Sequence, residues 1–226
     1  MSLLSLILPR RCPCCNNSLL PTEGPLCLQC LAVLPRVHAE FPDNAAEARM
    51  VGQFAFEHGT SFCYYSKEGM MAEAIQQAKY QQRPWIDADL AKLFAQELKL
   101  SQSAWPYDID CILPIPLHWS RLLQRGYNQA MAIAEALHKE WGLPIESHCL
   151  KKKYTRQTQV GLGREERLRG VSDTFYIRHP ERLTGKHVLL VDDVLTTGAT
   201  MVAAADALLA EVPNIRISFL TLAVAK

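Results

Sequence analysis

Long apolar runs are missing from this 226-residue sequence. None approaches the ~20 residues that cross a bilayer as a helix, so no membrane span is expected. An excess of one charge is missing too: 24 Lys and Arg face 23 Asp and Glu, a net +1. No chain-wide field therefore draws the protein to nucleic acid or lipid. Two common phosphate signatures are absent, G-x-x-x-x-G-K-[ST] and a G-x-G-x-x-G that opens a helix after a strand. The start, "MSLLSLILPRRC", lacks the marks of a secretory leader. Its apolar part is short, its arginines follow rather than precede it, and cysteines stand where a small-residue cleavage site would be. A cytoplasmic protein is expected, with Leu3, Leu4, Leu6 and Ile7 packing on the next part of the chain. A composition of 49% hydrophobic and 21% charged residues is ordinary for a globular chain with one full core and a small appendage.

Cysteine is not scarce. Four of the eight cysteines form two C-x-x-C pairs, Cys12 with Cys15 and Cys27 with Cys30. Two such knuckles bring four thiolates around one tetrahedral ion, and Zn²⁺ suits that set. A stretch this short builds no apolar core of its own, so a structural metal would supply its folding free energy. Disulfides would need an oxidising compartment, and a redox role fits one pair better than two. Cys14 is an alternative ligand to Cys15, but the spacing favours Cys15. Cys63, Cys111 and Cys149 lie in apolar runs and read as buried small hydrophobes. The expected division is a zinc-ribbon region and linker over 1–48 and a second domain over 49–226. The ribbon is expected to share little core with that domain, so that Cys27→Ser would loosen only the N-terminal ~35 residues.

Residues 31–50, "LAVLPRVHAEFPDNAAEARM", read as a linker or irregular cover. Beyond them the periodicity alternates. "SFCYYS" has strand character. "GMMAEAIQQAKY" sets Met71, Ala74, Ile75 and Ala78 on one helical face, and "IDADLAKLFAQELK" does so with Ile86, Leu90, Leu93, Phe94 and Leu98. Asp87 and Asp89 sit near the start of that helix, where its dipole favours acids. "IDCILPIP" is a strand, "YNQAMAIAEALHKEWG" a helix closed by Gly142, and "HCLKKKY" a strand. "HVLLVDD" is a strand, "ATMVAAADALLAE" a helix and "IRISFLTLAVA" a last strand. The order predicts an α/β fold with a doubly wound, mostly parallel sheet.

Asp192 and Asp193 then fall at the carboxyl end of a buried strand, where open parallel sheets bind ligands. "LTTGAT" turns directly into a helix. Gly198 lets the backbone come close to a ligand, and the free N–H groups at the helix start favour a phosphate. Thr196, Thr197 and Thr200 add hydroxyls, and Ala199 lies within the same turn. The two acids suit ribose hydroxyls or Mg²⁺-bound water. The stretch reads as a cradle for a ribose 5-phosphate. "GLG" at 161–163 reads as loop flexibility.

"VLLVDDVLTTGAT" resembles the PRPP-binding signature of type I phosphoribosyltransferases. The paired cysteines, "AKYQQRP", "LPIPLHWSRLLQRGYNQA" and "YTRQTQVGLGREERLRGVSDTF" resemble, in this order, blocks of the ComF/GntX family over nearly the whole chain. The family usually has an asparagine after the loop arginines, where this chain has Gly170. The resemblance implies a phosphoribosyltransferase-like domain behind a zinc ribbon, ribose binding by Asp192 and Asp193, and 5-phosphate binding by Thr196, Thr197, Gly198, Ala199 and Thr200. "PIPLHW" would lie at the pyrophosphate loop. Lys79, Arg121 and Arg125 are the cations suited to a diphosphate, while His118 reads as a surface residue. Between Lys151 and Gly170 stand Lys151, Lys152, Lys153, Arg156, Arg164, Arg167 and Arg169 against Glu165 and Glu166, which resembles the hood that closes over PRPP.

Two functions follow. One is an enzyme that transfers a phosphoribosyl group from PRPP with Mg²⁺, in a family associated with natural transformation and the use of external DNA. The other is a non-catalytic nucleotide sensor that contacts single-stranded DNA or competence proteins. No residue presents itself as the catalytic base.

Overall fold

A computed structural model of the chain describes residues 10–20, 22–38, 44–101, 106, 108–153 and 175–226. The elements are α1 (Leu28–Ala32), α2 (Ala45–Met50), β1 (Gly59–Tyr65), α3 (Met70–Tyr80), α4 (Pro84–Leu100), β2 (Cys111–Pro114), α5 (Trp119–Arg125), α6 (Gln129–Trp141), β3 (Leu150–Lys152), β4 (Phe175–Ile177), β5 (His187–Leu195), α7 (Ala199–Glu211) and β6 (Arg216–Ala225). Strands β1, β6, β5 and β2 form one sheet in that order, and every pairing in it is parallel. Strands β3 and β4 form a separate antiparallel pair. No helix among the described residues is long and apolar enough to cross a membrane.

Side chains alternate along a strand, and β5 is buried on both faces. Leu189 and Val191 join Ile112, Leu220 and Leu222 in a core layer with Ile75 of α3, Leu90 and Phe94 of α4 and Ile133 and Leu137 of α6. Val188 and Leu190 face the opposite layer, with Leu113, Ile217 and Phe219, Met50 of α2, and Met201, Ala204 and Leu208 of α7. Helices therefore cover both sides, the doubly wound arrangement expected from the alternating pattern. Each fully buried Leu, Val or Ile contributes roughly 1.5–3 kcal/mol. Asn128 starts α6 by accepting from the Ala130 N–H at 3.2 Å. Gly142, at φ 77°, ends it in the left-handed conformation that glycine adopts without strain.

Two expectations need correction. The stretch read as a linker contains α2, capped by Asn44, whose side-chain oxygen accepts from the Ala46 and Glu47 N–H groups at 3.1 and 3.2 Å. The Asn44 amide also donates to the Gly59 carbonyl at 2.7 Å, which ties α2 to β1. The N-terminal region, moreover, does not keep a separate core. Leu19, Leu26 and Leu34 pack in the same cluster as Phe62, Ile75 and Leu90. Arg36 makes a bidentate pair with Glu97 of α4 at 2.9 and 2.8 Å and holds the Leu31 carbonyl at 3.0 Å. Gln77 of α3 donates to the Pro13 carbonyl at 3.2 Å. The Arg36–Glu97 and Gln77–Pro13 contacts join residues far apart in sequence, and helical or strand periodicity carries no trace of them.

At the opposite end of the sheet, Ser218 Oγ lies 2.8 Å from His187 Nε2, and His187 Nδ1 lies 3.1 Å from Asp108 Oδ2. The order resembles a nucleophilic triad, yet Ser218 and His187 are fully buried. Ser218 Oγ also accepts from the His58 N–H at 3.2 Å. The arrangement pins β5, β6 and the approach to β1 together.

Candidate functional site

Strand β5 delivers Asp192 and Asp193 to the carboxyl end of the sheet, and the chain then turns through Thr196, Thr197 and Gly198 into α7. Gly198 has φ +82°, and a Cβ there would stand 2.6 Å from Met50 Sδ. Helix α2 thus forms the floor beneath the loop. Arg49, also on α2, donates to the Thr196 carbonyl at 2.7 Å and to the Ala225 carbonyl, fixing the loop against the end of β6. Thr197 Oγ1 accepts from the Ala199 N–H at 3.4 Å. A small hollow follows the turn, lined by Asp192 and by residues 194–201. Gly198→Ala is expected to lose about 1–2 kcal/mol of stability, the cost of a side chain at positive φ, with the Met50 clash added. Urea unfolding checks this, and a variant as stable as the parent contradicts the loop geometry.

A larger cleft of about 220 Å³ adjoins the hollow and brings together Lys79, Arg121, Arg125, Lys152, Asp192, Asp193, Thr196 and Thr200. These residues come from α3, α5, β3, β5, the turn after β5 and the start of α7, so the fold gathers all three cations singled out in the sequence around the two acids. Lys79 Nζ lies 2.6 Å from Asp193 Oδ2, with the two side chains 17% and 13% exposed. Burial, then the Asp193 charge, pushes the Asp192 carboxyl up to about 7, while Lys79 and Lys152 pull it the other way. Burial, then Arg121, lowers the Lys152 ammonium, and Asp192 opposes that shift. The cleft thus joins a mostly buried ion pair, Lys79 with Asp193, to more exposed cations on α5.

Arg121 and Arg125 lie on α5, none of whose residues is buried. His118 caps that helix, accepting from the Ser120 N–H at 3.4 Å, and is half-buried. The basic loop over 154–170, with Gly161, Gly163 and Gly170, lies outside the described residues, as do Leu3, Leu4, Leu6 and Ile7. Lys151, Lys152 and Lys153 are described, and of these Lys152 reaches the cleft.

Sequence reasoning missed several neighbours. Asn128 and Gln129 line the cleft, and the "GYNQ" turn into α6 was the signal available for them. Arg49 offered none. Asp87, read as an acid favoured by the helix dipole, is instead fully buried. Tyr127 Oη lies 2.7 Å from its Oδ2. Burial raises the Asp87 carboxyl to about 7 against that hydrogen bond, so desolvation outweighs the dipole.

The four paired cysteines also converge. The Sγ atoms of Cys12, Cys15, Cys27 and Cys30 lie within 4.8 Å of one another, and those of Cys15 and Cys27 are 3.6 Å apart. Tetrahedral zinc–thiolate bonds space sulfurs by ~3.8 Å, so the set fits such an ion. Asn16, at φ 62°, turns the first knuckle. Burial pushes the Cys12 thiol up, but the peptide N–H groups of Cys27, Cys14 and Cys15 outweigh it and bring it down to about 7. Cys14 stands outside the four, and burial pushes its thiol up to about 12.

A family model described as the phosphoribosyl transferase domain matches residues 122–225. Competence protein F of Haemophilus influenzae is 31% identical over 129 residues, 56% of this chain and 56% of that protein. This chain thus aligns with just over half the length of that relative. Competence protein ComFC of Bacillus subtilis is 27% identical over 213 residues, 93% of this chain and 82% of that protein. Among solved structures, adenine phosphoribosyltransferase of Leishmania tarentolae is similar at a TM-score of 0.38 and 13% identity, covering 66% of this chain and 74% of that one.

Proposed function

We propose, for a chain whose competence-protein relatives and phosphoribosyl transferase domain support the ComF family, that the cleft at the end of β5 binds PRPP or a ribose 5-phosphate nucleotide. The hollow at Thr196, Thr197, Gly198, Ala199 and Thr200 takes the 5-phosphate on backbone N–H groups and hydroxyls. Asp192 and Asp193 accept from the ribose hydroxyls. Lys79, Arg121 and Arg125 neutralise the diphosphate, with Lys152 beside them. Mg²⁺ would enter on the diphosphate and shield its charge, with the acids reaching it through coordinated water. The observation that carries the reading is the convergence of two acids, a Thr-rich helix start and four cations on one cleft.

Such a site favours loss of pyrophosphate from the anomeric carbon. Positive charge develops on the ribose as negative charge departs, so catalysis lies in positioning and in neutralising charge. Cations for the diphosphate and carboxylates for the ribose hydroxyls, met in one cleft, suit that polarity. The cysteine centre is proposed as structural Zn²⁺ that fastens residues 10–38 to α3 and α4. A setting in DNA uptake or the use of external DNA is part of this proposal, and relatives named competence protein are consistent with it.

The test is pyrophosphate release from PRPP and Mg²⁺ across a panel of nucleobases, run beside calorimetric titration of PRPP. Release that depends on one base identifies a transferase and its acceptor. Saturable binding without release identifies a nucleotide sensor. No binding at millimolar PRPP overturns the reading.

A further inference from the structure

Behind the cleft lies a polar knot in which three oxygens meet around one hydroxyl hydrogen. Tyr127 Oη stands 2.9 Å from the Ala78 carbonyl oxygen and 2.7 Å from Asp87 Oδ2. A phenol carries a single hydrogen, and a carbonyl oxygen only accepts. If Asp87 were ionised it too would only accept, and one of the two contacts would set lone pair against lone pair. If Asp87 carries a proton, both contacts become hydrogen bonds: Asp87 donates to Tyr127, and Tyr127 donates to Ala78. Among the described residues Asp87 Oδ1 has no hydrogen-bond partner, and it is buried. An ionised carboxylate would leave charge on that oxygen with nothing to receive it, which is costly in the interior.

We infer that Asp87 is a protonated carboxylic acid in the ligand-free protein, and that through Tyr127 it is the positioning residue for the cleft's Lys79. The Ala78 carbonyl lies one residue before Lys79, at the end of α3, and it also accepts from the Arg83 N–H at 3.2 Å. Tyr127 precedes Asn128 and Gln129 at the start of α6. One proton thus locks together the ends of two helices whose neighbouring residues line the cleft. The titratable and charged groups that act on Asp87 from other elements are Tyr127 ahead of α6, Asp193 on β5, Lys79 on α3 and Arg125 on α5. Asp193, the one acid among them, is paired with Lys79, so the balance at Asp87 depends on that ion pair.

The state of the proton is independent of the proposed ligand; only the consequence for PRPP rests on that function. The experiment is thermal unfolding of wild type and Asp87→Asn between pH 5 and pH 8. The folded protein holds the Asp87 proton and the unfolded chain releases it at ~4. The Asp87 contribution therefore falls as the pH rises towards 7 and is constant above. An asparagine amide donates to Tyr127 at every pH. The variant should then gain on wild type with rising pH, by several degrees at pH 8 and by little at pH 5. Subtracting wild type removes the parallel titration of Asp192. A variant that loses on wild type as the pH rises, or by a constant amount throughout, overturns the inference. Should the variant not fold, the wild type decides. Carbon-13-edited infrared spectra near pH 6, recorded also on Asp192→Asn to remove the other raised carboxyl, should contain the band of a protonated aspartic acid, and Tyr127→Phe should shift it by removing the acceptor. A spectrum without that band, or one unchanged by Tyr127→Phe, refutes the proton. Tyr127→Phe should also weaken PRPP binding several-fold, and unchanged binding overturns the positioning role. If wild type itself binds no PRPP, the proposed function fails while the unfolding and infrared results still decide the proton.

Discussion

Asp192→Asn should raise the melting temperature of the ligand-free protein, whereas Asp193→Asn should lower it, and both should weaken PRPP binding. The two carboxylates are adjacent, yet the structure gives them different partners. Asp193 holds Lys79 at 2.6 Å. Asp192 accepts from the Asp193 N–H at 2.9 Å and, among the described residues, forms no ion pair. Burial and its neighbour's charge push its carboxyl up to about 7. For a carboxyl raised on folding, the folded state binds the proton more tightly than the unfolded chain. Stability then declines as the pH rises from ~4 to about 7 and stays low above. The gain from Asp192→Asn should therefore be small at pH 4.5 and largest at pH 8. Asp193→Asn removes the carboxylate from a mostly buried lysine. The expected loss is about 1–3 kcal/mol, below the value for a fully buried pair because both side chains keep some water. Each charged acceptor removed from the ribose site should cost roughly 1.5–3 kcal/mol of affinity, about ten- to a hundredfold. Thermal unfolding and calorimetric titration of the two single variants check both effects. A destabilised Asp192→Asn protein with normal PRPP affinity contradicts the ribose role.

Removing the proposed zinc should destabilise the whole chain, not only its first residues. Apparent binding free energies for structural zinc in small peptides run to about 10–16 kcal/mol, and here the ligands sit inside a shared core. Cys12, Cys27 and Cys30 belong to the cluster that contains Phe62, Ile75, Leu90 and Phe94. Loosening them withdraws Leu19, Leu26 and Leu34 from the same layer and undoes the Arg36 contact with α4. Chelation, or Cys27→Ser, should lower the single melting transition by more than ten degrees, since about 1 kcal/mol moves a domain of this size by ~2–4 °C. Calorimetry with and without chelator is the check. An unchanged main transition beside a small separate one would restore the picture of an independent ribbon. Native mass spectrometry showing no bound zinc, with all four thiols titrating freely, would remove the metal altogether.

The parts of this protein that were legible in the sequence are those written in local pattern. The run from His187 to Leu195 alternates between two buried faces, and its acids, threonines and glycine sit next to one another in the chain. The cysteine pairs announce their cluster by spacing alone. The helices α3, α4, α6 and α7 repeat their apolar residues at helical intervals. What stayed hidden depends on contacts between distant segments. Asp87 looks like an ordinary first-turn acid until Tyr127, forty residues later, is folded over it. Arg49 lies in a stretch with prolines and no long periodicity, and its role exists only because β5 and β6 end beside it. Strand β4 has three residues, too few for a pattern, and follows a charged loop. The docking of the N-terminal region rests on leucines whose partners lie in α3 and α4.

The central claim is that the loop at the end of β5 holds a 5-phosphate. Backbone amide NMR of the labelled 226-residue chain, titrated with ribose 5-phosphate alone, tests it most directly because no leaving group, acceptor base or turnover is needed. The account predicts saturable shifts of the Thr197, Gly198, Ala199 and Thr200 amides, with the His187 end of the same strand unmoved. Amides in that turn that stay in place while the ligand binds elsewhere, or that never respond at millimolar ligand, would contradict it.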